Sequence, residues 1–216
     1  MAYIGRTPTG SILTGADIAD GSISTAKIAD NAIVTGKITD GTIATGDIAD
    51  SAVTAVKTSG VGISMADTWR LTSSFTATTG STQVLTSNLE RDDTYQSGKI
   101  GTGMSESSGI FTFPETGFYI VSFYINSNSS AGSSYMTNAI QLTTNNSSYA
   151  VVTEGNSHIA GVAANYVSQV AVKIFDITDT SNQKVRFTYD SSHSITIRGS
   201  TSVNTTYITF IRLGDT

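Results

Sequence analysis

The sequence predicts an all-β protein, in which an N-terminal trimeric β-shaft of ten-residue repeats is followed by a larger β-sandwich domain. Three observations lead to this prediction. Isoleucines recur every five residues from position 23, only Tyr3 of the 18 aromatic residues lies in the first 60 positions, and the C-terminal part alternates strand-like runs with Ser, Asn and Gly clusters. A chain of 216 residues has room for one full domain and an appendage.

The repeat begins clearly at Gly21 and reads as GSISTAKIAD, NAIVTGKITD, GTIATGDIAD and SAVTAVKTSG. The periodic aliphatic positions, which we predict to line the axis of a trimer, are Ile23, Ile28, Ile33, Ile38, Ile43, Ile48 and Val53. On an α-helix a step of five rotates successive side chains by about 140°, so no apolar stripe forms. On a flat strand an odd step sends them to opposite faces. The chain must therefore turn once per repeat, and Asp20-Gly21 and Asp40-Gly41 are turn dipeptides at that interval.

Three arrangements of the repeat are compatible with this spacing: an intertwined trimeric shaft, a monomeric β-solenoid and a flexible linker. One isoleucine per five residues is too little to fill the core of a single-chain solenoid, whereas three copies around an axis bring equivalent isoleucines into one layer. A linker needs no periodic isoleucines at all, so their strict spacing favours the trimer. We divide the chain into an N-terminal segment, residues 1–10, a repeat shaft, residues 11–61, and a head domain, residues 62–216.

One run of the head domain, GIFTFPETGFYIVSF from Gly109, predicts a hairpin in the core, because alternate aromatic residues on each strand share a face. Its predicted core and turn residues are Phe111, Phe113, Pro114, Gly117, Tyr119 and Phe123. The run resembles the signature of the C1q/TNF-like jelly rolls, which have an aromatic strand, a Pro-x-x-Gly turn and a strand with alternating Tyr and Phe. The resemblance covers about residues 68–214 and implies a jelly-roll β-sandwich that forms homotrimers with a stalk at the base.

The repeat resembles a different group of proteins. Decads of the form Ile-x-Asp-Gly-x-Ile-x-Thr-x-Lys are similar to those of tailed-bacteriophage fibres, and the opening Ala-Tyr-Ile-Gly-x-x-Pro is similar to the N-termini of structural proteins of marine phages, cyanophages among them. These resemblances imply a virion protein assembled in the host cytoplasm, with residues 1–10 as the virion-attachment segment that contacts other virion proteins. We expect a homotrimeric fibre whose head contacts a host-surface glycan or protein. The alternative is a capsid decoration protein without a receptor role.

Composition excludes several other classes of function. The formal charge is 12 − 17 = −5 and no basic face is apparent, which argues against nucleic-acid binding. The longest apolar block, Phe118 to Ile125, is too short to span a bilayer. There is no cysteine, no Walker-type loop and no metalloprotease or EF-hand motif, and His158 and His193 are not spaced as metal ligands. We therefore expect no enzymatic activity and no cofactor.

Two sets of polar residues are candidates for a site. Glu90, Asp92 and Asp93 have the oxygen ligands that calcium prefers, although a solvated acidic loop beside Arg91 explains them equally simply. Asn145, Asn146 and Tyr149 have a composition suited to adaptable polar contacts with a carbohydrate or protein surface. We take these three as the candidate surface-binding loop.

Overall fold

The computed structural model describes residues 18–50, 52–53, 62–77, 79–95, 97–129, 133–159 and 165–216. Two compact units make up the chain, Met1–Val53 and Thr54–Thr216, and each is described by itself. The predicted attachment segment, residues 1–10, lies outside the described residues. So does the predicted boundary between shaft and head at residue 61.

Each complete decad of the first unit contains two turns, where the sequence predicted one. A 3₁₀ turn lies between the two isoleucines of each decad, at Thr25–Lys27, Thr35–Lys37 and Thr45–Asp47. The predicted turn at the end of the decad is also present: the Ala32 N–H donates to the Ala29 carbonyl at 3.0 Å, and Asn31 between them has a φ of 61°. Gly or Asn occupies this position because it tolerates a positive φ. Short extended pieces separate the turns, and residues 18–50 form no β-ladder.

The aliphatic side chains of this unit are exposed in the single chain. The first isoleucine of each decad is 54–55% exposed and the second 40–43%. No residue between positions 18 and 50 is buried. Successive repeats border an open hollow of about 460 Å³ that is lined in part by Ile33, Ile38 and Ile43. The periodic isoleucines therefore form an apolar surface, and the single chain gives this stretch no core of its own.

The second unit is built from short antiparallel strands, with no helix among its described residues. Its strands are β1 (Met65–Leu71), β2 (Phe75–Ala77), β3 (Gln83–Val84), β4 (Leu89–Arg91), β5 (Ser105–Ser107), β6 (Ile110–Thr112), β7 (Gly117–Ser129), β8 (Ser133–Thr143), β9 (Tyr149–Ile159), β10 (Asn165–Ile177), β11 (Lys184–Ser191), β12 (Ile195–Ile197) and β13 (Tyr207–Gly214). β1 and β2 are separate strands, because the chain leaves the ladder between them.

The strands form two sheets. In the first, which we call sheet A, β7 lies between β10 on one side and β13 on the other, and β1 and β4 follow β13. The short strands β12 and β2 extend sheet A beyond the end of β13. In sheet B the order is β5-β6-β11-β8-β9, with β3 beside the end of β11. This is a two-layer β-sandwich, as the sequence predicted.

An aromatic cluster fills the space between the sheets. The Phe111 ring of sheet B lies 5.4 Å from the Phe187 ring of the same sheet and 5.2 Å from the Phe210 ring of sheet A, measured between ring centroids. All three side chains are completely buried. Strand β7 buries every second residue over its whole length, which is the period expected of a strand with one face on a core. The alternation of aromatic residues in the sequence thus corresponds to the inner faces of the two sheets.

The predicted core hairpin is corrected by the sheet topology. Phe111, Phe113, Tyr119 and Phe123 are all buried, but β6 belongs to sheet B and β7 to sheet A, so the two strands do not pair with each other. The turn with Pro114 instead carries the chain from one sheet to the other, and the Phe113 and Tyr119 rings meet across the core at 4.7 Å.

Glycine is required at position 117 because β13 approaches closely. A Cβ there would lie 2.5 Å from the Gly214 carbonyl oxygen and 2.6 Å from Arg212 Nε, and its φ is 142°. The Pro-x-x-Gly sequence thus connects the two sheets, and its glycine leaves room for the neighbouring strand β13.

Candidate functional site

The outward face of sheet A carries three rows of side chains across β10, β7 and β13. The strand register aligns Val170 with Tyr124 and Tyr207 in one row, Val172 with Ser122 and Thr209 in the next, and Ile174 with Ile120 and Ile211 in the third. Side chains in register on neighbouring antiparallel strands lie about 5 Å apart. The three rows therefore form one continuous surface, which we call the sheet A face.

The sheet A face is mostly apolar and is open to solvent in the single chain. Its most exposed members lie on the edge strand β10, where Ile174 is 58% exposed and Val170 49%. Tyr124 and Tyr207 stack at 5.0 Å in the row at one end of the surface. Burial of such side chains is favourable by roughly 25 cal/mol for each Å² removed from water. Contiguous exposed apolar patches are typical of surfaces that bind a protein, a membrane or a ligand, so the sheet A face is a candidate interaction surface.

The three acidic residues that the sequence offered as calcium ligands surround an arginine. Arg70 is 1% exposed, and its guanidinium donates to Glu90 Oε1 at 2.8 Å, Asp92 Oδ1 at 2.9 Å and Asp93 Oδ1 at 3.1 Å. The register explains the contact, because Arg70 on β1 lies opposite Glu90 on β4. The positive charge that a calcium ion would supply here is supplied by the guanidinium.

Arg91, which the sequence placed beside this acidic group, points to the opposite side of β4. It pairs with the buried Asp67, with Nε 2.8 Å from Oδ1. Strand alternation is the reason, since neighbouring residues of a strand face opposite ways.

The pKa of Asp92 is lowered in the folded protein. Burial by itself raises this pKa, but hydrogen bonds from Asn204, Ser97 and Thr94 and the charge of Arg70 outweigh the effect of burial.

The candidate surface-binding loop connects β8 to β9 on sheet B. Asn145 Oδ1 accepts hydrogen bonds from the Ser147 N–H at 3.0 Å and the Ser148 N–H at 2.9 Å, so this amide oxygen holds the turn together. Asn146 is exposed and has a φ of 55°. Tyr149 lies beneath Arg186, whose guanidinium carbon is 4.1 Å from the ring centroid. Burial raises the pKa of the Tyr149 hydroxyl against the opposing charge of Arg186.

Other candidate chemistry is not brought together in the described part of the chain. His158 is exposed on β9, and His193 is exposed in a loop where its Nδ1 lies 3.0 Å from Ser192 Oγ. No group of three or more His, Cys, Asp and Glu side chains with metal-binding geometry occurs among the described residues. No helix in the described part of the chain is long and apolar enough to cross a membrane.

Sequence reasoning missed the sheet A face. A signal for the face was present in β10, where Val170, Ala171 and Val172 are consecutive apolar residues. A strand that is apolar on both sides is typical of one covered on both faces.

Comparison with solved structures identifies the fold of the head. The structure of murine APRIL at pH 5.0 superposes with a TM-score of 0.51 and 11% identity, over 69% of this chain and 98% of that one. Eiger TNF from S. frugiperda gives a TM-score of 0.49 and 9% identity, over 70% of this chain and 93% of that one. No protein-family model and no curated protein sequence shows significant similarity to the chain. The likeness to APRIL confirms the predicted all-β head as a TNF-like jelly roll.

Proposed function

We propose that this chain is the protomer of a non-enzymatic, homotrimeric virion fibre whose head binds the host surface. The observation that carries the proposal is the exposure of the repeat: residues 18–50 contain no buried side chain, yet an aliphatic residue recurs every five positions. Periodic isoleucines that stay in water give a single chain no stabilisation, so this pattern favours an assembly in which other chains cover them.

The energy available from covering the repeat is considerable. Complete burial of an exposed isoleucine contributes about 1.5–3 kcal/mol, so burying the exposed half of each side chain contributes about 1 kcal/mol. Seven positions in three chains then give about 20 kcal/mol before the entropy of association is subtracted. The hollow of about 460 Å³ between successive repeats provides the space into which side chains of a neighbouring copy would fit.

The head supports the same oligomeric state through a separate surface. The sheet A face exposes Val170, Val172 and Ile174 at 45–58%, and three copies packed through these faces would remove them from water. The TNF-like fold of the head adds to this, since the resemblance described above implies trimers with a stalk at the base. Shaft and head thus each favour association of identical chains.

The assignment to a virion rests on the resemblance of the decads and of the N-terminal residues to phage structural proteins. In this proposal residues 1–10 attach the fibre to other virion proteins, residues 11–61 form the shaft and residues 62–216 form the receptor-binding head. Three heads acting together make even a weak single-site affinity useful, because later contacts become effectively intramolecular. A capsid decoration protein would share the trimer but would have no affinity for the host.

Native mass spectrometry of the full-length protein at micromolar concentration tests the oligomeric state. We expect a species of 3 × 22.6 = 67.8 kDa. A monomer or dimer as the main species would contradict the shaft proposal. Binding of the labelled trimer to host cells, with virions as competitor, then tests the adhesion role. A trimer that does not bind, together with unimpaired adsorption of virions that lack this protein, would favour the decoration alternative.

A further inference from the structure

A cavity of about 280 Å³ lies between the loop that follows β4 and the loop that precedes β13. Asn204 Nδ2 donates a hydrogen bond of 2.6 Å to Asp92 Oδ2 and so joins the two loops. The walls of the cavity are therefore held together by a direct contact. Its lining residues are Asp92, Thr94, Tyr95, Ser97, Ser202, Val203 and Asn204.

Asp92 is the charged residue among the described lining residues, and the protein itself occupies its carboxylate. The side chain accepts hydrogen bonds from Arg70 Nη1 at 2.9 Å and from the Thr94 N–H at 3.3 Å. Asn204 and Ser97 donate to it as well. A carboxylate has about four lone-pair positions, so these four donors leave none for an ammonium group of a ligand.

The cavity is equally unsuited to an anion. The nearest cation described above, Arg70, is 1% exposed, and its guanidinium is paired with Glu90, Asp92 and Asp93. No lysine, arginine or histidine occurs among the described lining residues. A ligand of this cavity is therefore expected to be neutral.

One buried polar atom at the cavity has no partner within the described part of the chain. Asn204 Oδ1 accepts no hydrogen bond there, although it is shielded from solvent. A buried acceptor without a donor is costly, and a ligand hydroxyl would remove that cost. The candidate surface-binding loop differs, because Asn145 Oδ1 already accepts hydrogen bonds from its own turn.

Tyr95 supplies an apolar surface beside these polar groups. Its side chain is 84% exposed, and its φ is 51°. An aromatic residue in the left-handed region is uncommon, and such strained positions cluster at binding sites. Val203, which is 58% exposed, adds a second apolar group to the lining. The cavity thus places an open aromatic ring next to hydroxyl and amide groups.

We propose that this cavity binds a neutral sugar unit, which lays its C–H face on the Tyr95 ring and donates a hydroxyl to Asn204 Oδ1. The hydroxyls of Ser97 and Ser202 both donate and accept, as recognition of sugar hydroxyls requires. The proposal rests on the adhesive function proposed above and names the class of ligand for the head. The volume suits a single sugar ring, whereas a stable protein interface buries about 800 Å² on each side.

The test measures binding of the methyl glycosides of glucose, galactose and mannose to the full-length protein by isothermal calorimetry. We expect at least one of them to bind with a Kd in the millimolar range, as a ligand of this size allows. Tyr95→Ala should weaken that binding about fivefold or more, because the aromatic contact is lost. Tyr95→Phe should retain it, since the ring is unchanged. Glucuronic acid and glucosamine serve as the anionic and cationic sugars and should bind more weakly.

The matched control is Tyr135→Ala, which removes the same side chain from a 41% exposed position on β8 of sheet B. We expect this variant to bind like the unmodified protein, and thermal unfolding should show all variants equally folded. Absence of binding by all three methyl glycosides would overturn the proposal, as would undiminished binding by Tyr95→Ala or tighter binding of either charged sugar. Host-cell binding that is unchanged in Tyr95→Ala would overturn this site and leave the adhesive function standing. A native mass other than that of a trimer would reject the fibre proposal independently of these results.

Discussion

The sharpest test of the trimeric shaft is the substitution Ile33→Asp, compared with Val34→Asp at the next position. The two side chains are 55% and 53% exposed in the single chain, so as a monomer they would tolerate the change equally. They differ only in periodicity. Position 33 is aliphatic in every repeat, whereas the residues equivalent to Val34 are Ser24, Ala44 and Thr54. A trimer axis would cover the first and leave the second in water.

The expected effects differ widely in magnitude. In a trimer, Ile33→Asp removes about 1 kcal/mol of hydrophobic stabilisation from each chain. The amount is small because only the exposed half of the isoleucine would become buried when the trimer forms. It also places three carboxylates in one layer, and burial of an unpaired charge or of its protonated form costs several kcal/mol. The layer therefore loses about 10 kcal/mol, close to half of the hydrophobic gain of the whole shaft. Val34→Asp should stay within about 0.5 kcal/mol, as surface substitutions usually do.

Limited proteolysis of the full-length protein measures the difference, because cleavage reports the free energy of local opening. We expect Ile33→Asp to be cut within residues 18–53 at least tenfold faster than the unmodified protein, while a fragment containing the head persists. Val34→Asp should be cut at the unmodified rate. Equal rates for all three proteins would show that Ile33 faces solvent, and equally rapid cutting of both variants would refute the layer arrangement.

Three further predictions concern the head. Ile174→Asp, on the sheet A face, should shift the native mass of an isolated head from trimer towards monomer, whereas Val151→Asp, an equally exposed site on β9 of sheet B, should not. Arg70→Leu leaves the buried Asp92 without its cation and should lower the free energy of unfolding in urea by about 3 kcal/mol. Because the pKa of Asp92 in the folded protein lies below the ordinary value of 3.8, its contribution to stability is complete above about pH 5 and declines as the pH falls further. Asp92→Asn should flatten this part of the stability profile measured by thermal unfolding.

Periodicity and composition alone determined the all-β class of the head. The alternating aromatic residues of Phe111 to Phe123 require a strand face on a core, and the strand period of two makes that inference independent of how the strands pair. The Asp-Gly and Asp-Asn dipeptides likewise specify a turn, because the requirement for positive φ is local. The 3₁₀ turns were not foreseen, since Thr, Gly and Lys have no comparable local preference for them.

The partners of each side chain were decided only by the tertiary structure. Arg70 is 20 residues from Glu90 and is held beside it by the register of β1 and β4. Strand register follows from the packing of both sheets at once, and a shift of one residue reverses every side chain, so that no short stretch of sequence encodes it. For the same reason the sequence placed Arg91, and not Arg70, beside the acidic residues.

The sheet A face is determined in the same non-local way. Val170, Tyr124 and Tyr207 become one surface because three strands far apart in the sequence meet in register. Local sequence determines which face of a strand a residue occupies, whereas the long-range pairing of strands determines what lies beside it, and a binding surface consists of such neighbours.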